Sequence, residues 1–489
     1  MKNLSFLSMN RRAFVEGMLS CGALASFGGF KAFGASAETG ALLTLGVMSD
    51  VHIKDEAQLP ALTAALEYFR DNGAEAVLVA GDIADTGRIS ELELFAKKWF
   101  EIFPNDQAPD GRKVERLFVY GNHCIEAWRW DDNPKNRPGV NEAIGRKDNR
   151  AKVWERIFHE EYQPIWMKVV KGVPVIGAHW IEAKPGIQIV KFLDEHAKEI
   201  DPKIPFIYTQ HAHPKNTCIG DWAWGHDDGR STWALMAFPN AIAFSGHSHY
   251  TLTDERSVWQ GAFTSINTSS LRYSSGDYSL RENMSDNGDG FWHEGREHRM
   301  PNLSMNDGKQ GMLVKVFADH LVITRREFNY GGQSLGEDWV VPLPAGSKPF
   351  SYASRAKSRV APEFAAGAKV EVRAIAPKNE KDFTHITLTF PAAETRQKCR
   401  VFEYEVTAIL CEDDVELVQA QRRIFADDFY LPATMLNKTQ SFVFAAEDLH
   451  AKGRYRFEVR PIECMGKKGA AISSDIFKVQ NLKFEKKEA

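Results

Sequence analysis

Five short apolar runs in the first half of the chain each stop on a residue of the same narrow chemical kind. They are Leu45-Gly46-Val47-Met48-Ser49-Asp50-Val51-His52, Val77-Leu78-Val79-Ala80-Gly81-Asp82, Leu117-Phe118-Val119-Tyr120-Gly121-Asn122-His123, Phe206-Ile207-Tyr208-Thr209-Gln210-His211-Ala212-His213 and Ala241-Ile242-Ala243-Phe244-Ser245-Gly246-His247-Ser248-His249. Consecutive buried-type residues bounded by turn signals predict central strands. One Gly-Asp turn after a strand is ordinary. Five strands delivering Asp, Asn or His at the same point predict a site at the carboxyl edge of a sheet, where open α/β sheets keep their ligands.

Between the first strands the hydrophobic period lengthens. Leu62, Ala65, Leu66 and Phe69 share one helical face, and Leu92, Leu94, Phe95 and Trp99 another, so strand and helix alternate as in an α/β domain. A polar excursion rich in Trp, Asp, Asn and Pro runs from Trp128 to Pro138, and a helix is expected from about Lys152 to Val170. Val173–His179 returns as a strand, and Met312–Phe317 with Leu321–Arg325 reads as a hairpin around Ala318-Asp319-His320. Residues 342–368 lack periodicity and are expected to be a linker. Beyond them the alternation in Ile386–Phe390, Val401–Val406 and Tyr455–Arg460 predicts an all-β region that resembles a fibronectin type III sandwich by pattern.

A chain of 489 residues with 43% hydrophobic content can bury substantial cores, and two domains are expected. The first 37 residues alter that picture. Asn10-Arg11-Arg12-Ala13-Phe14-Val15, a Gly/Ala-rich stretch to Phe30 and Ala35-Ser36-Ala37 resemble a twin-arginine signal peptide with its cleavage site. The resemblance implies export to the periplasm or beyond, and leaves an α/β domain expected at 38–341 and the β-sandwich at 369–489. No later apolar run reaches membrane-spanning length, so no stable membrane span is expected. The leader holds four basic side chains and one acidic one, so setting it aside moves the net charge from −4 to −7. A mildly acidic protein has no electrostatic footprint for duplex nucleic acid. Of the remaining cysteines, Cys124, Cys218, Cys399, Cys411 and Cys464, the last three leave room for one disulfide, and no CxxC spacing occurs.

The chemistry gathers at the five strand ends. Asp50 and His52 are two residues apart, as are His247 and His249, and in an extended chain such pairs point to one side. Carboxylate, imidazole and amide without thiolate suit manganese, iron or zinc. Three Asp/Asn and three or four His exceed the needs of one tetrahedral ion, so two ions bridged by a carboxylate, best Asp82, are the simpler account.

In order and spacing, Asp50-Val51-His52, Gly81-Asp82, Gly121-Asn122-His123, His211 and Gly246-His247-Ser248-His249 resemble the calcineurin-like metallophosphoesterase superfamily, over about residues 42–330. The resemblance implies an α/β fold of two packed mixed β-sheets flanked by helices. It implies that Asp50, His52, Asp82 and His249 bind one ion, and Asp82, Asn122, His211 and His247 the other. His123 would face the substrate as proton donor, with Asp85 orienting it. Cys124 departs from the family's frequent Asp or Glu at that point, Glu126 following two residues later, which implies one lost supporting hydrogen bond. Asp85 stands where purple acid phosphatases carry a metal-binding Tyr. Gly81–Gly87 is more similar to the cyclic-nucleotide phosphodiesterase branch.

The expected reaction is hydrolysis of a small-molecule phosphate ester by a metal-bridging water attacking phosphorus in line, with a phosphodiester favoured over a phosphomonoester or nucleotide. The competing reading is a non-catalytic exported protein that binds partners through the β-sandwich. His213 and Arg230 are candidate substrate contacts, His213 otherwise being a solvated loop residue. Trp128, Trp130, Trp222, Trp224 and Trp233 form either a stacking platform over the ions or packing under the loops. Gly225–Arg230 is a candidate rim. In His293-Glu294-Gly295-Arg296-Glu297-His298 the histidines are five apart, which does not fit a zinc-protease helix and predicts a polar loop.

Overall fold

The structure is a computed structural model that describes residues 40–139, 141–146, 148–180, 186–218, 227–276, 303–305, 308–375, 385–394, 400–412, 414–426, 429–444, 448–450 and 452–479. The expected leader, the 293–298 segment, Trp222, Trp224 and Cys399 lie outside these residues.

Strands β1 (Leu43–Met48), β2 (Ala76–Val79) and β3 (Glu115–Phe118) pair in parallel. Strands β4 (Ile165–Val170), β5 (Val173–Ala178), β6 (Phe206–Gln210), β7 (Ala241–Ser245), β8 (Val258–Gln260) and β9 (Thr264–Asn267) form a second sheet in the order β4-β5-β6-β7-β9-β8. Its centre is parallel and its two edges antiparallel. After a short pair, β10 (Ser274–Gly276) with β11 (Leu303–Met305), the chain rejoins the first sheet through β12 (Gln310–Val316), β13 (His320–Glu327), β14 (Gln333–Ser334) and β15 (Trp339–Pro342). β12 and β13 are the expected hairpin, and β12 lies antiparallel to β1.

The two sheets face each other. Leu45, Val47, Leu78 and Leu117 of the first and Val175, Ile207, Ile242 and Phe244 of the second are buried in one apolar cluster. The outer faces are covered by helices. Leu59–Asp71 buries Leu62, Ala65, Leu66 and Phe69, and Ile89–Ile102 buries Leu92, Phe95 and Trp99, while Leu94 packs at the margin. Helix Gly186–His196 covers the second sheet through Ile189 and Leu193. Two mixed sheets flanked by helices are thus the observed architecture.

One expected element is corrected. The helix placed at 152–170 spans only Arg150–Phe158 and stops at His159 in a left-handed conformation, and Ile165–Val170 is strand β4. The β-branched and aromatic Ile165, Trp166, Val169 and Val170 favour a pleated surface. Lys171 and Gly172 both take positive φ, 50° and 85°, as a two-residue hairpin turn requires.

The 342–368 stretch contains a helix, Tyr352–Ser358, whose cap Ser351 accepts from the Ser354 N–H. The Tyr352 Oη hydrogen is shared between the carbonyls of Cys218 at 2.9 Å and Arg256 at 2.5 Å, tying this stretch to the region of the two facing sheets. The C-terminal region is all-β. β16 (Glu371–Ile375), β17 (His385–Pro391) and β20 (Thr439–Phe444) form one sheet. β18 (Val401–Glu412), β19 (Val415–Phe425), β21 (Gly453–Glu463), β22 (Ile472–Ser473) and β23 (Phe477–Val479) form the other. Leu388 and Phe390 meet Tyr404, Val406 and Phe457 in a cluster that also takes in Cys218 and Tyr250 from before the 342–368 stretch. Arg423 is buried between Glu403 and Glu405, each at 3.1 Å. Cys411 and Cys464 are free thiols. Residues 41–489 make one compact unit.

Candidate metal centre

The backbone turns sharply where the strands stop. β1 ends at Met48, β2 at Val79 and β7 at Ser245, and five of the residues beyond them adopt left-handed φ: Asp50 (50°), His52 (47°), Asp82 (48°), His247 (72°) and His249 (55°). The expected convergence of Asp50 with His52, and of His247 with His249, is therefore present for a different reason. The chain there is not extended, and its left-handed turns aim the side chains. Such conformations cost about 1–3 kcal/mol each, cluster at functional sites, and persist only where the surroundings over-determine them. Here Asp50 N–H donates to Gly81 O (3.1 Å), His52 N–H to Asp82 O (2.9 Å) and Gly246 N–H to His211 O (2.9 Å). Glycines permit the close approach: a methyl on Gly121 would overlap Asp82, and one on Gly246 would overlap Ser49 and Asp50.

The side chains of all five motifs meet. His249 Nε2 lies 3.0 Å from Asp50 Oδ1 and 3.2 Å from His52 Nε2. His211 Nε2 lies 2.9 Å from Asp82 Oδ2 and 3.2 Å from His247 Nδ1, which is 3.1 Å from Asn122 Oδ1. Three overlapping groups have ligand atoms within 4.8 Å of one another: Asp50, His52 and His249; His52, Asp82 and His123; Asp82, His211 and His247. Asp82 belongs to two of them.

The second nitrogen of each ring shows what these contacts mean. His52 Nδ1 faces Asp85 Oδ1 at 3.0 Å, His249 Nδ1 the Tyr273 carbonyl at 3.1 Å, and His211 Nδ1 the Ala80 carbonyl at 2.8 Å. Those oxygens only accept, so each ring places its hydrogen there and turns a lone pair inward. Two inward lone pairs 3.2 Å apart repel unless a proton or a metal ion lies between them. Ligands about 2.1 Å from one ion stand about 3.0–3.4 Å apart, so the donor set fits metal ions.

Charge favours the same conclusion. Burial acts to raise Asp50 and Asp82, but the charges and hydrogen bonds of His249, His211 and their neighbours outweigh it and hold both well below the usual carboxylate range. Burial likewise acts to lower His52, yet Asp50, Asp85 and Asp82 together lift it to about 10. A pocket that draws protons so strongly draws cations. His123 runs the other way, lowered chiefly by burial.

Other expected residues fall into place around this set. The His123 N–H donates to Asp82 Oδ1 at 2.8 Å, and its Nδ1 reaches the Asp85 carbonyl at 2.7 Å. Asp85 thus contacts His123 through its backbone while its carboxylate holds His52. His213 is not a solvated loop residue: it is fully buried, with its ring nitrogens on Ser245 Oγ (2.7 Å) and Ser248 Oγ (2.9 Å), behind the His247–His249 loop. Burial lowers it to about 3. Arg230 is exposed and pairs with Asp228. Cys124 is buried against the Ala84 N–H, and Glu126 accepts from Trp180 Nε1 at 2.8 Å. Trp180 in turn lies nearly parallel to His247, with ring centres 6.2 Å apart. Sequence reasoning missed Trp180, Ser49, whose Oγ donates to Asp50, and Tyr273. Ser49 and Trp180 follow the ends of β1 and β5 but are not of the Asp, Asn or His kind that marked the others, and Tyr273 lies in a loop.

A cavity of about 290 Å³ lies elsewhere, lined by Arg325, Trp339, Arg355 and Arg359 among others and by no candidate metal ligand. Arg325 and Arg355 direct their guanidinium forks at carbonyls, so they act there as cement.

Residues 43–251 match the family model described as calcineurin-like phosphoesterase, a domain that ends two residues after His249 and so contains every ligand candidate. No curated protein matches the chain. Among solved structures, one titled "GAP50 the anchor in the inner membrane complex of Plasmodium" is 10% identical with a TM-score of 0.35, covering 63% of this chain and 90% of its own. A novel archaeal phosphodiesterase is 14% identical with a TM-score of 0.22, covering 48% of this chain and 90% of its own. Neither likeness is close enough to carry an activity across.

Proposed function

We propose that the chain is a metal-dependent hydrolase of phosphate esters that holds two ions, of manganese, iron or zinc. The observation that carries this reading is the position of Asp82 in two groups of potential ligands, one with His52 and the half-buried His123 and one, fully buried, with His211 and His247. Asp50, His52, Asp82 and His249 would hold one ion, and Asp82, Asn122, His211 and His247 the other. Bound there, the ions supply Lewis-acid neutralisation of phosphoryl charge and a water acidic enough to react near neutral pH.

The protein's own groups do the rest. Asp85 fixes His52 through its carboxylate and His123 through its carbonyl. With Nδ1–H on the Asp85 carbonyl, His123 Nε2 is the atom that faces the departing oxygen, and it delivers a proton from the imidazolium form, which burial disfavours. The water oxygen forms the new bond to phosphorus, the ester P–O bond breaks, and the leaving group departs as the alcohol. Phosphodiesters are the favoured class on the strength of Gly81–Gly87 alone, with phosphomonoesters or nucleotides as the alternative. The filled ligand set disfavours a non-catalytic scaffold. Export by the twin-arginine route, with the C-terminal sheets bracing the catalytic region, completes the proposal.

The test compares a nitrophenyl phosphodiester with the matching monoester, with manganese, using Asp82→Asn as control. The expected result is turnover that falls at least about a thousandfold in the control, the scale of losing several kcal/mol of charge stabilisation. Undiminished turnover in Asp82→Asn, or fewer than two ions per parent chain, overturns the reading.

A further inference from the structure

Five rings form a continuous row along one wall of the centre. Trp130 meets His123 edge-on with centres 4.8 Å apart, and His123 meets His52 edge-on at 4.4 Å. His52 and His249 follow at 5.0 Å, then His249 and Tyr273 at 4.2 Å. The three imidazoles belong to the machinery already described. The two end rings do not, and Trp130 leaves 49% of its surface open to solvent.

Structural packing accounts for the neighbouring indole but not for this one. Trp128 donates its Nε1–H to the Ile125 carbonyl at 3.0 Å and lies under the guanidinium groups of Arg129 and Arg146, at 4.8 and 4.0 Å. Trp130 caps the short 3-10 turn Ala127–Arg129 and presents its ring beside His123. An indole half open to water beside the histidine that faces the leaving oxygen is placed to receive a flat apolar partner. Tyr273 closes the row at its other end, within 6.5 Å of His52 and only 29° from parallel to it.

We propose that Trp130 determines specificity by stacking on the leaving group, so that the preferred substrates are phosphate esters whose alcohol carries a planar aromatic ring. The inference rests on the phosphoesterase reading and adds the class of alcohol. The leaving oxygen sits at His123, and a ring one or two bonds beyond that oxygen comes within stacking reach of an indole centred 4.8 Å from that imidazole. One stacked ring corresponds to roughly tenfold in kcat/KM.

Benzyl and ethyl phosphate esters, whose leaving alcohols are of similar acidity, test this with parent, Trp130→Ala and Trp130→Phe. The expected result is that Trp130→Ala lowers kcat/KM for the benzyl ester roughly tenfold more than for the ethyl ester, and that Trp130→Phe restores most of the difference. Calorimetric binding of benzylphosphonate against ethylphosphonate supplies a readout independent of turnover and should show the same loss of preference. Equal losses for both esters, or no change in the phosphonate ratio, overturn the stacking role while leaving the hydrolase intact. If the parent hydrolyses neither these esters nor the nitrophenyl esters, the hydrolase reading fails, and the phosphonate ratio still decides whether Trp130 selects a ring.

Discussion

Replacing Gly121 by alanine tests whether the backbone packing beneath the ligands holds the centre in register. Gly121 has φ −103° and ψ −175°, open to any residue, so the substitution adds contact without backbone strain. The new methyl would overlap Asp82 Oδ1 and the Asp82 backbone nitrogen and stand 2.8 Å from Asp82 Cγ. Carbon atoms in ordinary contact are about 3.5–4.0 Å apart, so about 1 Å must be found. Asp82 cannot retreat. Its carboxylate is held by His211 at 2.9 Å and by the His123 N–H at 2.8 Å, and its carbonyl by the His52 N–H at 2.9 Å. The movement therefore falls on Asn122 and His123. A misplacement of that size costs on the order of a hundredfold in rate, while overpacking costs the fold about 1–3 kcal/mol. Turnover of a nitrophenyl diester across a manganese titration, ions per chain by elemental analysis, and a denaturant titration separate these effects. A variant that keeps two ions and turns over within about threefold of the parent would refute the claim that this contact sets the geometry.

Two further substitutions address the fold around the site. His179 accepts the Tyr120 N–H on Nδ1 at 3.0 Å and is lowered to about 3, first by burial and then by the charge of Lys168. Its contribution is complete above its unfolded value near 6.5 and falls as pH drops towards 3, by about 1.4 kcal/mol per pH unit. Denaturant titrations at pH 7.5 and 5 should show the parent losing about 2 kcal/mol more than His179→Gln, and equal losses would contradict this linkage. In the C-terminal sheets, Arg423→Met leaves Glu403 and Glu405 without that buried guanidinium and should destabilise the protein by about 3–5 kcal/mol in equilibrium unfolding. A change below about 1 kcal/mol would show the pair to be solvated in practice.

Much of the catalytic region was legible in the chain because its signals are local. A buried strand must be apolar along its whole run, and the residue that ends it is its neighbour in sequence, so Asp50, Asp82, Asn122, His211 and His247 could be marked without knowing what faced them. The helices Leu59–Asp71 and Ile89–Ile102 declared their buried faces for the same reason, as did the alternation of the C-terminal strands. What is local in sequence but ambiguous in period was misjudged: Ile165–Val170 continues an apolar helical pattern until its pairing with Val173–Ala178 makes it a strand.

Everything that depends on distant partners was decided by the tertiary structure. His52 and His249 are 197 residues apart in the chain, yet their nitrogens stand 3.2 Å from each other. The left-handed turns that aim five of the candidate ligands are stable only because neighbouring loops hold them, which no propensity announces. The same holds for His213, which reads as a loop residue and is buried by Ser245 and Ser248, and for Trp130 and Tyr273, which become two ends of one wall only after the sheets have packed. Sequence determined which groups could do chemistry, through hydrophobic period and residue type. Packing of segments far apart in the chain determined where those groups point and what they face, because side-chain direction and burial are properties of the assembled sheets.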